Sequence, residues 1–164
     1  MRKKSSKKGR RSRYKEEVTY AIEIRDYDFS YSFSVNWLRD RDTIEGPYWE
    51  HTDLEIKSKI IYPDRLTDKE IKITIMGNRS ETRVLNKPED YHNFEPKAVG
   101  TMTIRGKQSE LLCWVPFDAF QMLCSMLNTG KIKYLMLHGQ ALYRGAADIR
   151  SVSFQEHFGP EDIG

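Results

Sequence analysis

The sequence predicts a mainly β fold: an antiparallel β-sandwich or irregular barrel of about 8–10 strands, with one α-helix and a disordered basic N-terminal tail. Three observations predict it. Apolar and polar residues alternate with period two through most of the chain, as they do on half-buried strands. Turn residues interrupt that alternation roughly every ten positions, leaving no room for the helices that a βαβ fold places between strands. A single stretch, at about residues 117–128, switches to helical spacing.

The tail is read from charge. Arg2, Lys3, Lys4, Lys7, Lys8, Arg10, Arg11, Arg13 and Lys15 fall within fifteen residues, and no acid precedes Glu16. Between Met1 and Tyr14 there is no apolar residue to bury, so nothing offsets the entropy of ordering this segment. The chain carries 27 basic and 24 acidic residues; removing these nine cations leaves 18 against 24, so the body from Glu16 onward holds a formal charge of −6. The reading is an acidic domain with a basic arm. The organisation expected is a flexible tail over residues 1–17, one β-rich domain over 18–158 and a loose C-terminal end over 159–164.

The elements follow in order. In "VTYAIEIR", Tyr20, Ile22 and Ile24 alternate with Thr19, Ala21 and Glu23. "YDFSYSFSVNW" places Tyr27, Phe29, Tyr31, Phe33, Val35 and Trp37 on one side, with Asp28, Ser30, Ser32, Ser34 and Asn36 on the other. These read as two strands joined tightly at Arg25-Asp26-Tyr27, and the aromatic row reads as sandwich core. In "YWEHTDLEIKSKIIYP", Leu54, Ile56, Ser58 and Ile60 oppose Glu55, Lys57 and Lys59, one dry face and one wet. "IKITIM" alternates Ile71, Ile73 and Ile75, and "ETRVL" reads as a short returning strand before the polar loop "NKPEDYHNFEP".

"AVGTMTIRGKQSELLCWV" reads as a hairpin turning around Arg105–Gln108, with Gly106 supplying positive φ and Gly100 marking a bulge. In "PFDAFQMLCSMLNTG", Phe117, Phe120, Leu123, Cys124 and Leu127 recur at helical intervals, with Asp118 near the start and Gly130 just past the end. Strand patterns resume in "KIKYLMLHG", "QALYRG" and "DIRSVSFQE". Cys113 and Cys124 sit among apolar residues and read as buried, reduced thiols.

No signal-peptide core and no membrane-spanning run occurs, so a soluble, cytoplasmic protein is expected. Phosphate-loop, dinucleotide, zinc-protease, CxxC and nucleophile-elbow motifs are all absent. No catalytic residue, metal ligand or cofactor is assigned. The nine arm cations are the candidate nucleic-acid or polyanion site, since such a run neutralises phosphates without a fixed shape. The expected function is a non-enzymatic binding module: the arm tethers it to nucleic acid or another polyanion, and the β-domain engages a protein partner or a second copy. The alternative is a metal-assisted hydrolase around His51 and Asp53, which share a strand face with Glu55, joined by His92 from the polar loop. Tyr48 and Trp49, beside Gly46-Pro47, are candidates for an exposed aromatic contact, and His138 for a hydrogen-bonded histidine of the core or its boundary.

Overall fold

The structure is a computed structural model, and it describes residues 16–35, 48–78, 98–106 and 108–163, with the backbone alone at 48, 49 and 78. The nine arm cations, the "ETRVL" segment, Trp37, Gly46-Pro47, the polar loop and His92 lie outside the described residues, as do the side chains of Tyr48 and Trp49.

Seven strands close into a barrel. β1 runs Glu17–Val35, β2 Tyr48–Tyr62 and β3 Glu70–Asn78. β4 is Gly100–Arg105, β5 Gln108–Pro116, β6 Tyr134–Gln140 and β7 Ala146–Gln155. The helix α1, Phe117–Asn128, lies between β5 and β6. Around the barrel the order is β1-β2-β3-β5-β4-β7-β6, and β6 returns to β1. Every neighbouring pair is antiparallel except β3 and β5, which run parallel. A parallel pair cannot be joined by a tight turn, and the chain between these two contains the whole of β4.

The predicted fold class is what forms, as a barrel with seven strands among the described residues. One merger of expected strands is in β1. The two strands expected on either side of Arg25-Asp26-Tyr27 are a single strand of 19 residues. Against β2, Ile24 pairs with Ser58 and Asp26 with Lys57, so Arg25 is an extra residue and the expected hairpin is a β-bulge. A two-residue hairpin of the favoured kind needs positive φ, and none of these three residues adopts it. A second merger involves "QALYRG". Gln140 ends β6, and Tyr143 and Ala146 form a two-residue hairpin into β7 through Arg144 and Gly145, both at positive φ.

The hairpin between β4 and β5 turns at Gly106, φ +58°. Gly100 is not bulged; its pairing with Cys113 and with Ile149 continues in unbroken register on both sides. Glycine is needed there because a Cβ would lie 2.6 Å from Cys113 Sγ.

The inward faces of the strands supply the core expected from the alternation. Leu54, Ile56, Ile60, Ile71, Ile73, Ile75, Met102, Leu111, Leu135 and Ile149 are buried together. α1 adds Phe120, Leu123 and Leu127 and lies against β3 and β5. Gly77 permits this approach, since a Cβ would come within 3.1 Å of the Phe120 ring. Buried hydroxyls are bonded: Ser58 Oγ donates to the Ile71 carbonyl at 2.7 Å, and Tyr20 OH to the Gln140 carbonyl at 2.8 Å. Among the described residues no buried side-chain polar atom lacks a partner. Past β7 the chain makes one 3₁₀ turn, Pro160–Asp162, and the Phe158 ring stands 6.0 Å from that of Tyr134.

Candidate interaction surface

β1 and β2 are longer than the strands beside them. β6 accompanies β1 only from Glu17 to Glu23, and β3 accompanies β2 only from Asp53 to Lys59. Among the described residues, Tyr31–Val35 of β1 and Tyr48–Thr52 of β2 therefore lie past the last paired residues of β6 and β3 as a two-stranded ribbon, with Thr52 Oγ1 at its root still donating to the Gly77 carbonyl of β3 at 3.4 Å. At a rise of about 3.3 Å per residue the ribbon reaches roughly 15 Å past those pairings.

Its faces differ because side chains alternate. On one face stand Phe29, Tyr31, Phe33 and Val35, opposite Leu54, Thr52, Glu50 and Tyr48. On the other stand Ser30 and Ser32, opposite Asp53 and His51. The aromatic face continues the barrel's inward-facing side past the last paired residues of β3 and β6, and among the described residues no second sheet covers it. Phe29 is 56 % exposed, Tyr31 59 % and Phe33 59 %. The expectation that this row forms sandwich core is overturned. Tyr27, nearer the barrel, is half-buried against the core, and its hydroxyl donates to Asn128 Oδ1 at 3.2 Å, joining the root of the ribbon to the end of α1.

A groove of about 410 Å³ lies between the aromatic face and α1, lined by Phe29, Tyr31, Glu50, Thr52, Phe117, Phe120, Gln121 and Cys124. Partial burial raises the Cys124 thiol pKa, so the group is neutral at physiological pH. Among the described residues the charge on this surface is sparse and acidic. Glu50 accepts from Tyr31 OH at 3.3 Å, Asp118 sits on the first turn of α1, and α1 contains no Lys or Arg. Met122 and Met126 are exposed too, but a step of about 100° per residue puts them on the opposite flank of the helix.

His51 and Asp53 do come together. His51 Nε2 lies 2.5 Å from Asp53 Oδ1, which also accepts from Ser30 Oγ at 2.9 Å. Glu55, on the same strand face, pairs with Lys72 at 2.6 Å, and this hydrogen bond holds the lysine pKa above its ordinary value. No group of three His, Cys, Asp or Glu side chains among the described residues is placed to hold a metal. Neither the groove nor a wider depression of about 940 Å³ over β1–β3 is lined by His51 or Asp53. That depression is bordered by charges that pair with one another, Lys57 with Asp26 at 3.2 Å and Lys59 with Asp68 at 2.5 Å. His138 is hydrogen-bonded, its Nδ1 3.0 Å from Thr19 Oγ1, and its side chain faces outward from β6.

The chain matches no protein-family model, no curated protein and no solved structure. The surface therefore stands on its own chemistry. No helix among the described residues is long and apolar enough to cross a membrane.

Reading the sequence as alternation alone misses the exposed row, although a signal was present. On β2 the described side chains on the aromatic side are Glu50, Thr52 and Leu54. A glutamate directly opposite Phe33 does not belong in a dry core.

Proposed function

We propose that this chain is a non-enzymatic interaction module. Its β-domain engages a protein partner through the aromatic face of the ribbon and the adjoining groove, and its basic arm holds nucleic acid or another polyanion. The observation that carries the reading is the row Phe29, Tyr31 and Phe33, each more than half exposed on a surface with no basic residue described near it. Exposed aromatics beside few charges are the composition of protein interfaces. Stacking of nucleic-acid bases on the same row is the weaker reading, because a phosphate backbone passing over α1 would meet Glu50 and Asp118 and no cation of the helix.

The geometry supports two separate contacts. The arm joins the domain at the Glu17 end of β1, and the ribbon ends at Val35. Nineteen residues at about 3.3 Å each separate the two by up to roughly 60 Å. One strand thus spans the arm's point of attachment and the far end of the ribbon.

The test compares the full chain with a full chain whose nine arm cations are replaced by Gln, titrated with DNA and RNA across salt. If about six charges meet phosphates of B-DNA, log K falls against log salt with a slope of roughly −5, and the neutralised chain loses the binding. Equal binding by both chains, or none at low salt, contradicts the tether. Partner capture with Phe29→Ala and Tyr31→Ala tests the other half: the partner is lost if the ribbon holds it, and undiminished capture contradicts that role.

A further inference from the structure

We propose that the outer edge of β1 in the ribbon pairs with the same edge of a second copy, giving a two-fold dimer with one sheet running β2-β1-β1-β2 across the axis. This rests on the reading of the ribbon as an interaction surface and names its partner.

Among the described residues no strand occupies this edge. On the side away from β2, the last bond from β1 to the barrel is the Ile24 N–H to the Lys133 carbonyl at 2.8 Å, and β6 pairing ends at Glu23. From Asp26 to Val35, β2 is the only strand beside β1 among the described residues. Sheet edges are normally guarded by lysine, proline, bulges or inward charges. Here Arg25, Asp26 and Asp28 guard the root, and then the guards stop. Phe29-Ser30-Tyr31-Ser32-Phe33-Ser34-Val35 contains no charge, no proline and no glycine. Seven such residues, four of them aromatic or β-branched, have the composition of a segment that adds strands.

The segment also fits itself. Phe29-Ser30-Tyr31-Ser32-Phe33 reads the same in both directions, with Tyr31 at the centre. A dimer interface of two-fold symmetry must be self-complementary, and an antiparallel pair of identical strands has its axis at one residue. With Tyr31 on the axis, Phe29 meets Phe33 of the second copy, and Ser30 meets Ser32 of the second copy. All the rings then share one face, and aromatic cross-strand pairs stabilise a sheet. The charges agree with this register. Asp28 is the one charged residue from Tyr27 to Val35, and it meets Ser34 of the second copy, so no like charges face each other.

The exposed part of three rings amounts to roughly 350 Å² per copy, against about 800 Å² per partner in a standard interface. The dimer is accordingly weak and dissociates on dilution.

Sedimentation of the full chain over a dilution series tests this, alongside two double variants. Ser30→Lys with Ser32→Lys sets lysine against lysine at both off-axis pairs, and weakens the dimer by roughly tenfold or more. Ser30→Lys with Ser32→Glu sets lysine against glutamate in the same two places, and restores it. That recovery also shows that substitutions at these positions leave the domain folded. Tyr31→Cys in a Cys124→Ser background forms a disulfide-linked dimer on mild oxidation, whereas Ser34→Cys does not, because its counterpart across the axis is Asp28. A chain that stays monomeric at every concentration overturns the proposal, as does a dimer indifferent to the double-lysine variant. A monomer whose partner capture still needs Phe29 and Tyr31 overturns self-pairing alone and leaves the interaction surface standing.

Discussion

Cys113 is fully buried, and burial pushes its thiol up to about 12 from an ordinary 9.0. The sign of the linkage follows. Below pH 9 the thiol is neutral folded or unfolded and contributes no pH dependence. Above it the unfolded thiol loses its proton while the folded one keeps it, so stability falls by roughly 1.4 kcal/mol per pH unit toward pH 12. Cys113→Ala should show a shallower fall from pH 9 to 11 in denaturant titrations, and an identical fall would contradict the assignment. His51 carries a different test: its Nε2 touches the Asp53 carboxylate, and no group of three His, Cys, Asp or Glu side chains among the described residues is placed to hold a metal. Calorimetry with Zn²⁺, Mn²⁺ and Mg²⁺ should show no affinity that His51→Ala removes. A site lost on that substitution would revive the hydrolase reading and demote the binding module.

At the level of elements, α1 separates buried from exposed positions cleanly. Leu127 is 1 % exposed and Met122 61 %. Leu127→Ala should cost about 2–5 kcal/mol in chemical denaturation, and Met122→Ala less than about 0.5. Similar costs at both would mean that the helix packs through another face. This helix was legible in the sequence, as were β2, β3 and the β4–β5 hairpin, because each buries one side and wets the other. β1 was not. Its inner half buries Thr19, Tyr20, Ala21 and Ile22 on both faces, where period two carries no information. Its outer half alternates perfectly, yet exposes the apolar side. Alternation reports which residues share a face; it does not report whether a second layer covers that face. The strand neighbours decide that, and they are set by where β3 and β6 stop pairing, at Asp53 and Glu23. Arg25 misled for a related reason, since a bulge and a tight turn both interrupt alternation by a residue or so.

For the whole molecule, charge and aromaticity are separated along the sequence and along β1. Excess cations belong to the first fifteen residues, and the chain from Glu16 carries −6. The exposed rings belong to the far end of the strand that the arm leads into. The candidate site was thus half legible: composition alone marks the arm, whereas the ribbon becomes a candidate only once the barrel is seen to end beneath it. The most direct measurement is photo-crosslinking in cells, from a photoreactive residue at position 31 and from one at Asp148, exposed on the barrel strand β7. Protein adducts from position 31 and not from position 148 are the predicted result, whether the captured chain is a second copy or another protein. Absence of adducts at position 31 would contradict the claim that the aromatic ribbon is where this molecule meets its partner.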